Sequence, residues 1–278
     1  MAAVDTNELV AEVTQIPVHP GAAMRLLWML EDPDTSEHDL GRLIETDPAL
    51  STQVIRHANT AFYGMSGQVA SAARAVGVLG LATVRALATT AAFDLFSERG
   101  RAVPEGFWQH SVAAAAACSV LAGKIGVDPS DAFSAGLLHD IGTALVYRRA
   151  PRRYEDVLDR ISRSDNLTRV SAELEEFGFS HTQVGAAALG VMKFPAELVD
   201  AVAHHHDDPT TVDGVMARLL IAADALALAA QHDGARAGSS TVCAAIEALD
   251  LTGDTADALV AQVREESANL SGVLTVRG

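Results

Sequence analysis

The 278-residue sequence has little of what disulfide-bonded or membrane-spanning proteins require. Its two cysteines, Cys118 and Cys243, lie far apart in Ala-rich stretches, which excludes a disulfide framework. The N-terminus lacks the basic segment and apolar run of a signal peptide, and no stretch of about 18 apolar residues is free of charge. We therefore expect a cytoplasmic protein with reduced thiols and no association with a membrane.

Positive charge is also scarce. The chain has 20 Lys and Arg against 36 Asp and Glu, which gives a formal net charge of -16. It contains no stripe of basic residues interleaved with aromatics, and its densest basic cluster, Arg148, Arg149, Arg152 and Arg153, is typical of a solvated helix end. Because such a surface repels phosphate backbones, we expect no direct binding of nucleic acid.

Aromatic residues make up only 5% of the chain, whereas Ala, Leu and Val dominate an apolar fraction of 49%. This composition favours closely packed helices over sheets and predicts an all-α fold, a multi-helix bundle. We expect an N-terminal helical subdomain over 9–100, a histidine-bearing subdomain over 101–232 and a C-terminal helical extension over 233–278. Polar stretches at 97–106 and 234–240 are the predicted linkers.

Local signals predict where several helices begin and end. Asp47 ahead of Pro48 is an N-cap followed by proline in the first turn, and two helices are expected to meet at Gly80. The apolar pattern over 130–148 predicts a single helix through His139. Further helices are predicted near 107–125, 151–163, 168–176, 181–192, 195–206 and from 214 to 230.

A set of histidines and aspartates stands out within these helices: His110, His139, Asp140, His181, His204, His205, His206 and Asp224. Neighbouring residues on a helix point about 100° apart, so His139 and Asp140 reach one point only if other helices supply further ligands. A helical bundle can provide that arrangement. Imidazole and carboxylate ligands together suit Zn, Fe, Mn or Ni.

The surroundings of these residues favour a buried site. Small residues such as Gly136 and Gly142 flank the His139–Asp140 pair and are expected to leave room for an ion and water. Asp224 interrupts an apolar helical stripe, where burial of a lone carboxylate costs several kcal/mol unless a cation or charged partner meets it.

Each residue also has a structural alternative. A single histidine such as His110 or His181 is often a hydrogen-bonded core or surface residue, and the run 204–206 could cap the end of a helix. Asp224 could pair with Arg218. An adaptor with polar residues in its core is the interpretation in which all these alternatives hold.

Several motifs together resemble a known superfamily. GLLHDIG at 136–142, with WQHSVAAAAA at 108–117 and FSHTQVGAAAL at 179–189, resembles the HD superfamily of metal-dependent phosphohydrolases, and FPAELVDAVAHHHDDP at 194–209 continues the match. LGRLIETDPALSTQVIRHANTAFYG at 40–64 and AARAVGVLGLATVRALA at 72–88 are similar to the HDOD domain. The resemblance covers roughly residues 9–230, so 9–232 is the expected HDOD domain.

The resemblance implies a site for one or two divalent ions, with Fe, Mn, Zn or Ni as candidates. Position by position, it assigns metal ligation to His110, His139, Asp140, His181, His205, His206 and Asp224. Within this set, His205 and His206 match the paired histidines of HD-GYP relatives better than His204 does. If the protein is an enzyme, His139 and Asp140 are the implied catalytic residues.

The same resemblance implies two functions. Active HD enzymes hydrolyse phosphoesters, whereas HDOD proteins serve as regulatory modules in bacterial signalling. Thr143 stands where active relatives commonly have a lysine, and HHHDDPTTVDG at 204–214 lacks the GYP signature. We therefore expect a metal-binding signal-transduction protein that recognises a signalling partner. The alternative is a metal-dependent phosphohydrolase or phosphodiesterase acting on a nucleotide or cyclic nucleotide.

The first third of the chain is the expected partner surface of a regulatory protein. Asp47, Asn59 and Tyr63 belong to it and are candidates for structural or recognition roles. In a purely structural interpretation, Asp47 caps a helix and Asn59 forms a turn.

Overall fold

The computed structural model describes residues 34–60, 63–94, 103–164, 167–191, 194–231, 240–251 and 255–274, together with isolated positions between 22 and 32. Over these ranges the regular elements are α-helices, which confirms the predicted all-α fold. In chain order they are α1 Glu37–Ile44, α2 Pro48–Ala58, α3 Ala72–Asp94, α4 Phe107–Ile125, α5 Pro129–Leu138, α6 Ile141–Arg149, α7 Pro151–Ser162, α8 Arg169–Phe177, α9 His181–Val191, α10 Ala196–His204, α11 Val215–Gln231, α12 Ser240–Glu247 and α13 Ala256–Leu274. None of them is long and apolar enough to cross a membrane.

Local sequence signals determine where α2 begins and where α3 kinks, as predicted. The Asp47 side chain accepts a hydrogen bond from the Leu50 amide at 2.7 Å and so caps α2. Gly80 has φ 73° and ψ 160°, a conformation that favours glycine and that kinks α3 into two segments. Both predicted boundaries are therefore confirmed, and α1 and α2 each pack on α3.

The histidine-bearing part is organised around α4. This helix packs against α5, α11 and α13, while α9 packs against α6 and α10. The Ala113–Ala117 run of α4 is buried, and α5 also contacts α2 and α3. One continuous apolar core joins the first third to the histidine-bearing part and to Leu259 and Val263 of α13.

The predicted subdomain division stays a prediction. Residue 9, the junction at 100–101 and most of the stretch 234–240 lie outside the described residues, as does most of the predicted linker 97–106.

The predicted single helix over 130–148 is wrong. Helix α5 ends at Leu138 and α6 begins at Ile141, so His139 and Asp140 form a turn between them. The His139 ring lies with Nδ1 2.7 Å from the Gly136 carbonyl oxygen, the acceptor that the amide of residue 140 would use in a continuous helix. The break aims both side chains at the same point.

Candidate metal centre

The fold brings the seven predicted ligand residues together from distant parts of the chain. His110 lies on α4, His139 and Asp140 lie in the α5–α6 turn, and His181 is the first residue of α9. The remaining residues follow α10 or lie within α11: His205, His206 and Asp224. The adaptor interpretation, in which each of these residues has a separate structural role, does not account for their common placement.

One group of ligand atoms surrounds Oδ2 of Asp140. His110 Nε2 lies 4.0 Å and His139 Nε2 3.9 Å from this oxygen, and the two imidazole nitrogens are 3.2 Å apart. Asp224 Oδ1 lies 3.0 Å from His110 Nε2 and 3.8 Å from His139 Nε2. The ligand atoms of His110, His139 and Asp140 thus lie within 4.8 Å of one another, and Asp224 adjoins the two imidazoles.

A second group surrounds the other oxygen of Asp140. His181 Nε2 is 3.2 Å and His205 Nε2 is 3.8 Å from Asp140 Oδ1. Together with His206, these residues offer ligand atoms that all lie within 4.8 Å of one another. Asp140 therefore belongs to both groups, one oxygen to each, as a carboxylate bridging two ions would.

The donor set fits a metal. His181 Nε2, His205 Nε2 and Asp140 Oδ1 are buried and lack a hydrogen-bond partner among the described residues. Buried polar atoms left unsatisfied are costly and rare, and a divalent cation would satisfy all three at once. Imidazole and carboxylate donors in this proportion suit Fe, Mn, Zn or Ni.

Backbone carbonyls orient two of the imidazoles. His139 Nδ1 faces the Gly136 carbonyl at 2.7 Å and His205 Nδ1 faces the Val202 carbonyl at 2.8 Å, so each ring presents Nε2 to the centre. His204 instead has Nδ1 2.8 Å from the Asp200 carbonyl and lies on the outer side of α10. The centre thus takes the second and third histidines of the run and leaves the first outside.

Sequence reasoning missed the carboxylate that holds His181. Glu173 is buried, and its Oε2 accepts hydrogen bonds from the His181 amide and from Nδ1, both at 2.7 Å. Its Oε1 accepts from the Tyr154 hydroxyl at 2.5 Å, and that hydroxyl is 3.5 Å from Thr143 Oγ1. Glu173 therefore fixes the ring of His181 with Nε2 facing Asp140.

Sequence reasoning also missed Arg169. Its Nη1 donates to Asp140 Oδ2 at 2.7 Å, and its side chain is 30% exposed. The available signal was the i, i+4 spacing of Arg169 and Glu173, which predicts that both lie on one face of α8. Nothing local indicated that this face meets Asp140.

Burial and neighbouring carboxylates shift the pKa values of histidines in the centre. Burial opposes ionisation of His181, but Asp140 and Glu173 on either side of the ring outweigh it and raise its pKa to about 9. Burial lowers the pKa of His139 to about 4. A metal ion at the second group would therefore have to displace a proton from the imidazole of His181.

Among the described residues, the contacts of Asp224 do not include the alternative pairing with Arg218. Burial disfavours its charged form, but the hydrogen bond from His110 keeps the pKa of Asp224 well below its ordinary value. Its ionic neighbours are His110, His139 and His206 rather than Arg218.

The glycines around the His139–Asp140 pair do not have the predicted role of leaving room for an ion. A Cβ at Gly142 would lie 2.0 Å from the His181 carbonyl oxygen and 2.6 Å from the Gly185 nitrogen. A Cβ at Gly136 would lie 2.7 Å from the Ala114 carbonyl oxygen. These glycines instead allow α6 to approach α9 and α5 to approach α4, which sets the spacing between ligands on different helices.

The candidate residues of the first third have mainly structural contacts. Asn59 is buried, and its side chain donates to the Val69 carbonyl at 2.7 Å and accepts from the Val69 amide at 3.1 Å. Asp47 caps α2, and Tyr63 packs partly buried against the core. None of the three belongs to the metal-ligand groups of the described residues.

Comparison with known proteins places the chain in a family. The HDOD domain profile matches residues 16–208. The MmoQ response regulator of Methylococcus capsulatus superposes with a TM-score of 0.72 at 28% identity, covering 88% of this chain and 98% of that one. A virulence factor from Campylobacter jejuni has the same fold, with a TM-score of 0.71 at 17% identity over 97% of this chain and 98% of the other.

A curated relative matches a shorter stretch of the chain. Ribonuclease Y of Thermus thermophilus is 34% identical over 128 residues, which is 46% of this chain. The match spans only 17% of the length of that relative. The profile match covers well over half of the sequence, and it agrees with the all-helical fold and with the motifs on which the resemblance rested. The chain belongs to the HDOD family.

Proposed function

We propose that this protein is a regulatory HDOD module of bacterial signal transduction whose HD-type centre would hold two divalent ions, with Asp140 as a residue common to both ligand groups. The observation that carries the proposal is the shared use of Asp140 by two groups of convergent donors. The likeness to a response regulator over almost the full length of both chains supports the signalling role.

Different residues of the centre would hold each of the two ions. His110, His139 and Asp224 would hold one ion with Oδ2 of Asp140, and His181, His205 and His206 would hold the other with Oδ1. When bound, such ions supply positive charge that attracts and polarises an anionic oxygen. Glu173 orients His181, and Arg169 balances the charge of Asp140.

The environment of Thr143 favours regulation over turnover. Its side chain is buried beside the centre with Oγ1 3.5 Å from the Tyr154 hydroxyl, so this position supplies no cation. The first third, joined to the histidine-bearing part through contacts of α2 and α3 with α5, is the proposed surface for a signalling protein.

A metal-dependent phosphohydrolase acting on a nucleotide or cyclic nucleotide is the second candidate. The pairing of donor groups on one carboxylate favours it, because two neighbouring ions can bind both the attacking and the leaving oxygen of a phosphoester. The local match to a ribonuclease points to the same chemistry. The net charge of -16 favours a small substrate over a nucleic-acid polymer.

Elemental analysis of protein purified without a histidine tag tests the metal proposal. Asp140→Asn removes the shared carboxylate, and Asp200→Asn is its matched control because that side chain is 63% exposed on α10. We expect about two ions per chain in the wild type and in the control, and none in Asp140→Asn. Metal-free wild-type protein would refute both candidates.

A hydrolysis screen with nucleotides and phosphodiesters in Mn²⁺ and Fe²⁺ separates the two functions. We expect no turnover by the metal-loaded protein. Turnover that requires metal and is lost in Asp140→Asn but not in Asp200→Asn would establish the phosphohydrolase instead.

A further inference from the structure

Arg169 brings a permanent positive charge to the edge of the metal centre. Among the ion pairs that the described residues make at this centre, its guanidinium is the cation that does not titrate in the physiological range. The side chain begins at the first residue of α8, reaches Asp140 Oδ2 at 2.7 Å and stays 30% exposed. It therefore connects the buried carboxylate with solvent.

The contact with Asp140 competes with an ion of the first group. The oxygen that accepts from Arg169 is the one that faces His110 and His139. A divalent ion held there would neutralise the carboxylate and repel the guanidinium at short range. The charge that Arg169 balances in the absence of an ion is thus taken over once the ion binds.

A loaded centre would carry excess positive charge. Two divalent ions bring four positive charges, against which Asp140 and Asp224 supply two negative ones. The negative charge of Glu173, whose oxygens accept from His181 and Tyr154, is offset by the positive charge of Arg169. Such a site favours an anion, and Arg169 is a partly exposed cation at its edge.

We propose that Arg169 recognises the phosphate group of a small phosphorylated ligand at the metal-loaded centre. A guanidinium has five N–H donors in a planar fork that matches phosphate oxygens, and an ion that takes over the charge of Asp140 would free the donor that now contacts this carboxylate. The acidic chain repels polyphosphate polymers, so the ligand is a single phosphate ester, such as a nucleoside monophosphate. This inference rests on the proposed metal occupancy and adds the residue that selects the ligand.

Calorimetric titration of inorganic phosphate into manganese-loaded protein tests the inference. Arg169→Gln removes the charge and Arg169→Lys keeps it without the planar fork. Arg163→Gln is the matched control, since that side chain is 77% exposed and pairs with Asp159 on the surface. We expect phosphate affinity to fall at least about tenfold in Arg169→Gln and less in Arg169→Lys, with metal content unchanged.

The other possible outcomes of the titration each contradict a different part of the inference. Equal phosphate affinity in Arg169→Gln and the wild type overturns it, and loss of metal in Arg169→Gln makes the residue a support of Asp140 rather than a ligand-binding residue. A wild type that holds metal but not phosphate overturns it while leaving the proposed function intact. Absence of metal from the wild-type protein refutes both this inference and the proposed function. Tighter Arg169-dependent binding of an RNA oligomer than of phosphate overturns the assignment to a small ligand.

Discussion

Replacement of Gly142 by alanine tests whether the close approach of α6 and α9 builds the second half of the metal centre. The new Cβ would lie 2.0 Å from the His181 carbonyl oxygen, and ordinary contacts begin at 3.4 Å, so the helices must separate by about 1.4 Å. His181 opens α9, so this movement displaces its Nε2 from Asp140. Metal sites tolerate displacements of only about 0.2 Å.

The expected magnitude follows from overpacking, which typically costs about 1 to 3 kcal/mol. For a chain of this size each kcal/mol lowers the melting temperature by about 2 to 4 °C, so we expect a decrease of roughly 2 to 12 °C. We also expect the ion of the His181 group to be lost and the ion of the His110 group to stay, so that metal content falls by about half.

Gly190→Ala is the control, because the same change in α9 would place a Cβ 3.9 Å from Val199 Cγ1. It is expected to leave the metal content unchanged and, through helix propensity, to stabilise the protein by up to about 1 kcal/mol. Melting followed by circular dichroism, with and without a chelator, separates the packing effect from the loss of metal. If Gly142→Ala melted and bound metal as Gly190→Ala does, the spacing argument would be refuted.

Two further predictions concern the first third and the histidine run. Burial raises the pKa of Glu45 to about 7, so its ionised form destabilises the folded state, and the loss of stability grows as pH rises from about 4.5 to 7. Glu45→Gln is therefore expected to raise the free energy of unfolding by up to about 3 kcal/mol at pH 8 and by almost nothing at pH 4.5. Chemical unfolding at both pH values measures this difference, and a stabilisation independent of pH would contradict the prediction. His205→Gln is expected to lose one ion per chain while His204→Gln keeps both, since only the former ring faces Asp140; equal metal content in the two variants would show that the run is not divided in this way.

Helix boundaries set by local chemistry could be predicted from the sequence. The start of α2 at Asp47–Pro48 and the kink of α3 at Gly80 each depend on a few adjacent residues. Both can therefore be recognised without knowledge of the rest of the fold. The turn at His139 and Asp140 could not be predicted in the same way, because the apolar periodicity continues through it. What ends α5 there is a side-chain contact, from the His139 ring to the Gly136 carbonyl, which a hydrophobic pattern does not contain.

The parts of the site that escaped prediction depend on contacts between distant residues. Arg169 meets Asp140 across 29 residues and Tyr154 meets Glu173 across 19, and neither pair has a shared motif. The seven candidate ligands were assigned through resemblance, and the structure brings their donor atoms to common points. That they bind metal stays a prediction, which the elemental analysis tests directly.

The origin of the ligands on separate helices gives metal binding a consequence beyond the local site. Ions at this centre would join α4 to α11 and the α5–α6 turn to α9, closing long loops of chain as a cross-link does. An ion that binds only the folded chain adds about 2.7 kcal/mol to its stability when free metal is 100 times the dissociation constant. Depletion of the ion in a cell would then shift the protein toward unfolding and degradation, so the amount of the folded protein would follow the metal supply.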